Sequence, residues 1–127
     1  MKEFTVSEKY HIYCQLIPVG EDLCVILAGG DAPHIGAVSA GIYGPGIGAA
    51  HMSAEEEARL AEKVCSYAYP SHRDQAMSEP LAKSLAERLG KNVTVLRGIH
   101  VDDLPKEEIK EILDLLSNIE ERICNEI

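Results

Sequence analysis

Two apolar stretches near the N-terminus, "YHIYCQLIPV" (10–19) and "LCVILAG" (23–29), are separated by only Gly20-Glu21-Asp22. Runs of β-branched and aromatic residues flanking a glycine-containing turn specify a β-hairpin. This pairing constrains the rest of the chain, because open strand edges need cover. "HIGAVSAGIY" (34–43) reads as a third strand. A fourth is expected at about 62–69, where "KVCSYAY" is stopped by Pro70. Before it, Ser53 and Glu56 form a capping-box pattern that predicts a short helical or irregular turn. "NVTVLRGIHV" (92–101) is the fifth strand.

The second half carries helical stripes. Leu81, Ala82, Leu85, Ala86 and Leu89 fall on one face, and Gly90 stands where a helix end takes positive φ. Pro80 implies that this helix starts near Ser78 or is kinked in its first turns. Pro105 suits a first helical turn. Ile109, Ile112, Leu113, Leu116, Ile119 and Ile123 then form the stripe of one long final helix. The expected class is α+β: an antiparallel sheet of about five strands in the order ββββαβα, with two amphipathic helices packed on it. Residues 1–127 are expected to form a single domain.

The charge of −9 disfavours nucleic acid and anionic membranes as partners, since both require a basic footprint. The surplus is concentrated at the end, where residues 102–127 hold nine Asp and Glu against three Lys and Arg. Such a run is ordinarily a solvated helix face. Cys14, Cys24, Cys65 and Cys124 are scattered without a C-x-x-C pair, as in a protein with reduced thiols. "MKEFTVSEKY" is charged where a signal peptide would be apolar, and no run approaches the roughly 18 residues of a membrane span. A cytoplasmic location is expected. Asn92-Val93-Thr94 matches a glycosylation triplet that has no meaning without secretion.

Three histidine segments stand out: "GGDAPHIGAV" (29–38), "PSHRD" (70–74) and "GIHVD" (98–102). On an extended strand His34, Gly36 and Val38 would share one face, leaving room beside the ring for a ligand or another backbone. Gly98, His100 and Asp102 would repeat that arrangement, with Asp102 placed to orient the imidazole. His72, Arg73 and Asp74 occupy a junction between strand and helix. The ordinary alternative is that each histidine caps a carbonyl or faces solvent. The recurrence at strand ends points instead to one shared pocket, within a chain or across a dimer. His11 and His51 lack comparable neighbours and read as structural.

Three histidines with Asp74 or Asp102 could satisfy zinc, although no two of them have ligand spacing. Arg73, the only cation in the three motifs, beside a helix start, favours an anion over a metal. "GPGIGAA" fits G-x-G-x-x-A through Gly44, Gly46 and Ala49, but it follows a hairpin rather than opening a βαβ unit, so a loop is the better reading. Ser39 and Ser71 lack a nucleophile elbow, and no cysteine sits in a catalytic motif. Two function classes remain: a binding or accessory module, and a small enzyme using the His/Asp cluster for acid–base or metal-assisted chemistry.

"GGDAPHIGAV", "PSHRD" and "GIHVDDLPKEEI" in this order resemble the small accessory subunit of gallate-type non-oxidative hydroxyarylic acid decarboxylases. That family is a prenylated-flavin chaperone-like domain with a fold related to proteasome assembly chaperones. The resemblance covers roughly residues 10 to 115. It implies a non-catalytic, homodimeric partner of a decarboxylase catalytic subunit that handles prenylated FMN, with no metal. The implied site is Gly29, Gly30, Pro33, His34 and Gly36, then His72, Arg73 and Asp74, then Gly98, His100 and Asp102. Arg73 could then pair with a phosphate in bidentate fashion, and the Gly29 and Gly30 amides could approach it closely.

Overall fold

The computed structural model describes residues 1–44, 51–70 and 75–127. β1 (Lys2–Ser7), β2 (Ile12–Val19) and β3 (Asp22–Gly30) form an antiparallel meander, with Gly20-Glu21 as a two-residue turn between β2 and β3. β4 (Ala37–Gly41) follows, then α1 (Ala54–Glu62), β5 (Val64–Ala68), α2 (Gln75–Leu89), β6 (Val93–His100), α3 (Lys106–Ser117) and α4 (Ile119–Glu126).

The sheet is mixed and six-stranded, in the order β1-β2-β3-β6-β4-β5. This corrects the expected all-antiparallel sheet of five strands. β3 and β4 are not a hairpin: residues 31–36 step across one strand position, and β6 fills it. β6 runs parallel to β3 and antiparallel to β4. Because β4 is also antiparallel to β5, β5 and β6 run the same way, and α2 is the crossover that parallel strands require. The sixth strand, β1, lies in the charged N-terminal segment. It is an edge strand, where one inward row, Phe4 and Val6, is enough apolar content.

Of the two alternatives for the helix at Pro80 the start at Ser78 is not the one taken, and one further expectation changes. α2 begins at Gln75, ahead of Ser78, and runs through Pro80. The final stripe is broken at Asn118 into α3 and α4, giving four helices among the described residues instead of two packed on the sheet. The α1 cap forms as the sequence implies. Ser53 Oγ accepts from the Glu56 amide and the Ser53 amide donates to Glu56 Oε1, both at 3.2 Å. Gly90 ends α2 with φ +67°.

One face of the sheet carries the core. Ile12, Cys14 and Leu16 of β2, Leu23, Val25 and Leu27 of β3, and Val93 and Val95 of β6 pack against Leu81, Ala82, Leu85 and Ala86 of α2 and against Ile112, Leu116, Ile119 and Ile123 of α3 and α4. α2 lies so close that a Cβ on Gly41 would stand 2.1 Å from the Ala82 carbonyl oxygen. Beside it a buried chain of hydroxyls ties the helix to the sheet, with Ser39 Oγ 2.8 Å from Ser66 Oγ and 2.7 Å from Ser78 Oγ. α3 is fastened to the β1–β2 turn by the Tyr10 hydroxyl, which donates to Glu111 at 2.8 Å.

The residues between these, alternating onto the other face, are half-buried: Ile17, Cys24, Ile26, Val38, Ala40 and Leu96. Among the described residues no helix is long and apolar enough to cross a membrane.

Leu85→Ala, at a fully buried position of α2, should cost about 3 kcal/mol in chemical denaturation. Val19→Ala, at a strand end that is 63% exposed, should stay within about 0.5 kcal/mol.

Candidate functional site at the carboxyl edge of the sheet

β3, β5 and β6 share a direction, so Gly30, Ala68 and His100 end their strands at one edge, next to the start of β4 at Ala37. In sheets with parallel strands, ligands gather outside such carboxyl ends. Two of the three histidine segments are brought together there. The expectation for His72, Arg73 and Asp74 falls outside the described residues.

The glycines at this edge serve backbone against backbone. A Cβ on Gly98 would lie 1.7 Å from the His34 carbonyl oxygen, so the 31–36 loop can cross β6 only over a residue without a side chain. Gly30, at φ +83°, meets the His100 carbonyl oxygen at 2.1 Å, and Gly29, at φ +145°, meets that of His11 at 2.1 Å. Hydrogen bonds lock the crossing. Gly36 N–H donates to Arg97 O at 2.8 Å, Asp31 N–H to His100 O at 2.7 Å, and Tyr69 N–H to Gly36 O at 2.9 Å. The Asp102 amide donates to Asp31 Oδ2 at 2.8 Å, joining this loop to the one after β6.

His34 and Gly36 therefore lie in a loop, and the shared strand face expected for them with Val38 does not form, because β4 starts only at Ala37. His34 Nδ1–H donates to the Ala32 carbonyl at 2.8 Å, the capping role that a histidine near a turn often takes. Pro33 is exposed. His100 does pair with Asp102: Nε2–H donates to Oδ1 at 2.7 Å, with both side chains more than half exposed. That bond fixes the tautomer and leaves Nδ1 as an acceptor.

Sequence reasoning missed Arg97. Its register with Leu27 and Ala37 turns it to the helix face, where it is 7% exposed. With His100 it lines a cleft of about 250 Å³ between the end of β6 and α3, whose other walls are Ile99, Val101, Leu104, Ile109, Ile112, Leu113 and Leu116. Ile109 and Leu113 belong to the predicted stripe yet stand 44% and 47% exposed, because they border this cleft rather than the core. A stripe wider than the core can use was the signal available in the sequence. A larger concavity of about 870 Å³ lies at the opposite edge. Its walls are the β2–β3 turn and the α2–β6 connection, with Glu21 and Asp22 set against a lone Lys91, a poor setting for an anion.

A buried guanidinium with aliphatic walls suits an anion that carries an apolar body. Among the described residues no group of three His, Cys, Asp or Glu is placed to hold a metal ion. Burial pushes the Cys14 thiol up to about 12 and raises those of Cys24 and Cys124, which leaves these three as poor nucleophiles at neutral pH.

The sequence model of the prenylated flavin chaperone LpdD-like domain matches residues 6–127. The chain belongs to this family. It is also 27% identical over 126 residues to Protein LpdD of Lactiplantibacillus plantarum, an alignment covering 98% of this chain and 84% of that protein. The LpdD-like domain thus embraces the meander, the carboxyl edge and the terminal helices together, in agreement with the resemblance read from the three motifs.

Gly98→Ala tests the loop crossing. An Ala on a strand normally gains stability over Gly. Here it should lose on the order of 2 kcal/mol and shift the His34 ring resonances. Gly44→Ala, where a Cβ meets nothing within 4 Å, should be neutral or slightly stabilising.

Proposed function

We propose that this LpdD-like chain is a non-catalytic, chaperone-like accessory subunit of a prenylated-FMN-dependent aromatic acid decarboxylase, and that it handles the cofactor at the carboxyl edge. The observation that carries this reading is the family match from residue 6 to residue 127, which spans the edge where two of the histidine segments, 29–38 and 98–102, lie with Arg97. Prenylated FMN combines a phosphate with a broad apolar ring system, and the Arg97 cleft offers a cation and aliphatic walls for such a molecule. Its volume of about 250 Å³ is below the roughly 300–1,000 Å³ of sites that enclose a whole ligand. A cleft of that size holds part of a flavin and leaves the rest for a partner, as a protein that passes a cofactor on requires.

Roles follow for the chain's own residues. Arg97 has five N–H donors on a planar fork and can donate to a phosphate or carboxylate edge alongside the bonds it already makes. Arg73 is the second cation of the reading. His100, held by Asp102, offers one ring nitrogen to a flavin donor or to a partner's backbone. Gly29, Gly30, Gly36 and Gly98 shape the edge through close backbone approach, and Pro33 stiffens its loop. His34, His72 and Asp74 complete the site inferred from the motifs. We further read the chain as a homodimer.

Titration of prenylated FMN and FMN, followed by fluorescence, tests the site. Arg97→Met keeps volume and removes charge, and it should weaken binding at least about tenfold, the loss of a charge-assisted hydrogen bond. Arg73→Ala should also weaken it, added salt should reduce it, and His51→Ala should leave it unchanged. Parent-like binding by both arginine variants, or loss of binding to a chelator alone, would contradict an anion site.

A further inference from the structure

The cleft beside Arg97 has two sides that are held very differently. One is the end of β6 with the turn after it, and the other is α3 alone. Ile112 and Leu116 are the two buried residues of α3, and both line the cleft. Ile109 and Leu113 line it as well, at 44% and 47% exposed. The helix therefore has no buried side chain away from the cleft. Its flanks are not helical: Asp103 takes φ +51° two residues before Pro105, and Asn118, at φ −100° and ψ 6°, separates α3 from α4. Among the described residues, the polar ties from α3 to other elements all come from the β1–β2 turn. The Tyr10 hydroxyl donates to Glu111 at 2.8 Å, and Lys9 Nζ lies 3.2 Å from Glu111 and 3.7 Å from Glu108. α4 is anchored separately, through Arg88 of α2, which donates to Glu120 at 3.1 Å and to Glu121 at 2.6 and 3.1 Å.

We propose that α3 is a lid over the Arg97 cleft, pivoting at Asp103 and Asn118 and latched shut by the bond from Tyr10 to Glu111. The inference rests on the cofactor-handling reading above and names the device that controls its site. A wall held only by the ligand cavity it closes can leave without unmaking the rest of the core, because Ile119 and Ile123 keep α4 in place. Of the latch residues, Lys9 and Glu108 are exposed, and ion pairs of that kind hold little. Tyr10 is 6% exposed, so its hydroxyl is a fixed donor, and the carboxylate it meets is charged, which strengthens the bond. Opening supplies the room that a cleft of about 250 Å³ lacks for enclosing a ligand. Closing gives Ile109 and Leu113 a surface to cover, which the core does not provide. Lids of this kind gate entry and release together.

Hydrogen exchange on the free full-length chain tests the lid without any ligand. A helix as short as α3 is marginal once it leaves its seat, so each opening exposes its amides to exchange. Tyr10→Phe removes only the hydroxyl and should speed exchange in residues 106–117 roughly tenfold, the loss of one hydrogen bond to a charged group. Glu111→Gln, which keeps an acceptor but not the charge, should act in the same direction and less. Exchange in β2, β3 and β6 should stay at the parent rate in both. Arg88→Met, which frees α4, should leave residues 106–117 unchanged. Parent-like exchange in α3 of both latch variants, faster exchange throughout the sheet, or equal opening of α3 in Arg88→Met overturns the lid. Stopped-flow fluorescence with prenylated FMN supplies the second readout: Tyr10→Phe should raise the association and dissociation rates together and leave Kd within about twofold, as a gate requires. Faster dissociation alone would make Tyr10 an ordinary contact of the bound flavin and overturn the lid. A parent that binds no flavin contradicts the cofactor reading, while exchange in the free chain still decides the lid.

Discussion

The insertion of β6 between β3 and β4 is the arrangement on which the other features of the carboxyl edge depend. To leave that position open, the chain after β3 must step over a full strand and return antiparallel at Ala37, crossing the end of β6 as it does so. The His34 carbonyl passes where a side chain at residue 98 would stand, and the Gly36 amide closes onto Arg97 O. A residue larger than glycine at 98 would push the loop off the sheet and disturb the start of β4. The same insertion makes β3 parallel to β6, brings Gly30 level with His100, and turns Arg97 inward among the helices.

Several elements were legible in the sequence because they are local. The β2–β3 hairpin, the Ser53 capping box, the α2 stripe and the positive φ of Gly90 each depend on residues within one turn or two of one another. The bond between His100 and Asp102 spans two positions and was equally readable. What escaped was non-local. Nothing in "HIGAVSAGIY" records that its hydrogen-bonding neighbour on one side arrives more than fifty residues later. The charged β1 segment carries few apolar residues because an edge strand needs few. The break at Asn118 interrupts a stripe whose apolar periodicity continues through it.

The site shows the same division. The glycines of the histidine segments were read as openings for a ligand or another backbone, and at Gly29, Gly30 and Gly98 the backbone takes the space. Arg97 escapes the sequence because what sends it to the helix side is its register with Leu27 and Ala37, on strands distant in the chain. At this edge Arg97 and Ile99 are turned to the helix side of the sheet, and Gly98 lies under the 31–36 loop on the other.

Hydrogen exchange with and without prenylated FMN tests the carboxyl edge as the cofactor surface most directly, because it maps contact without altering a residue. Slower exchange confined to residues 29–36, 72–74 and 97–113 on addition of the flavin is the predicted result. Protection at residues 20–22, 42–44 and 89–92 around the larger opposite concavity, or equal exchange everywhere under saturating flavin, would contradict it.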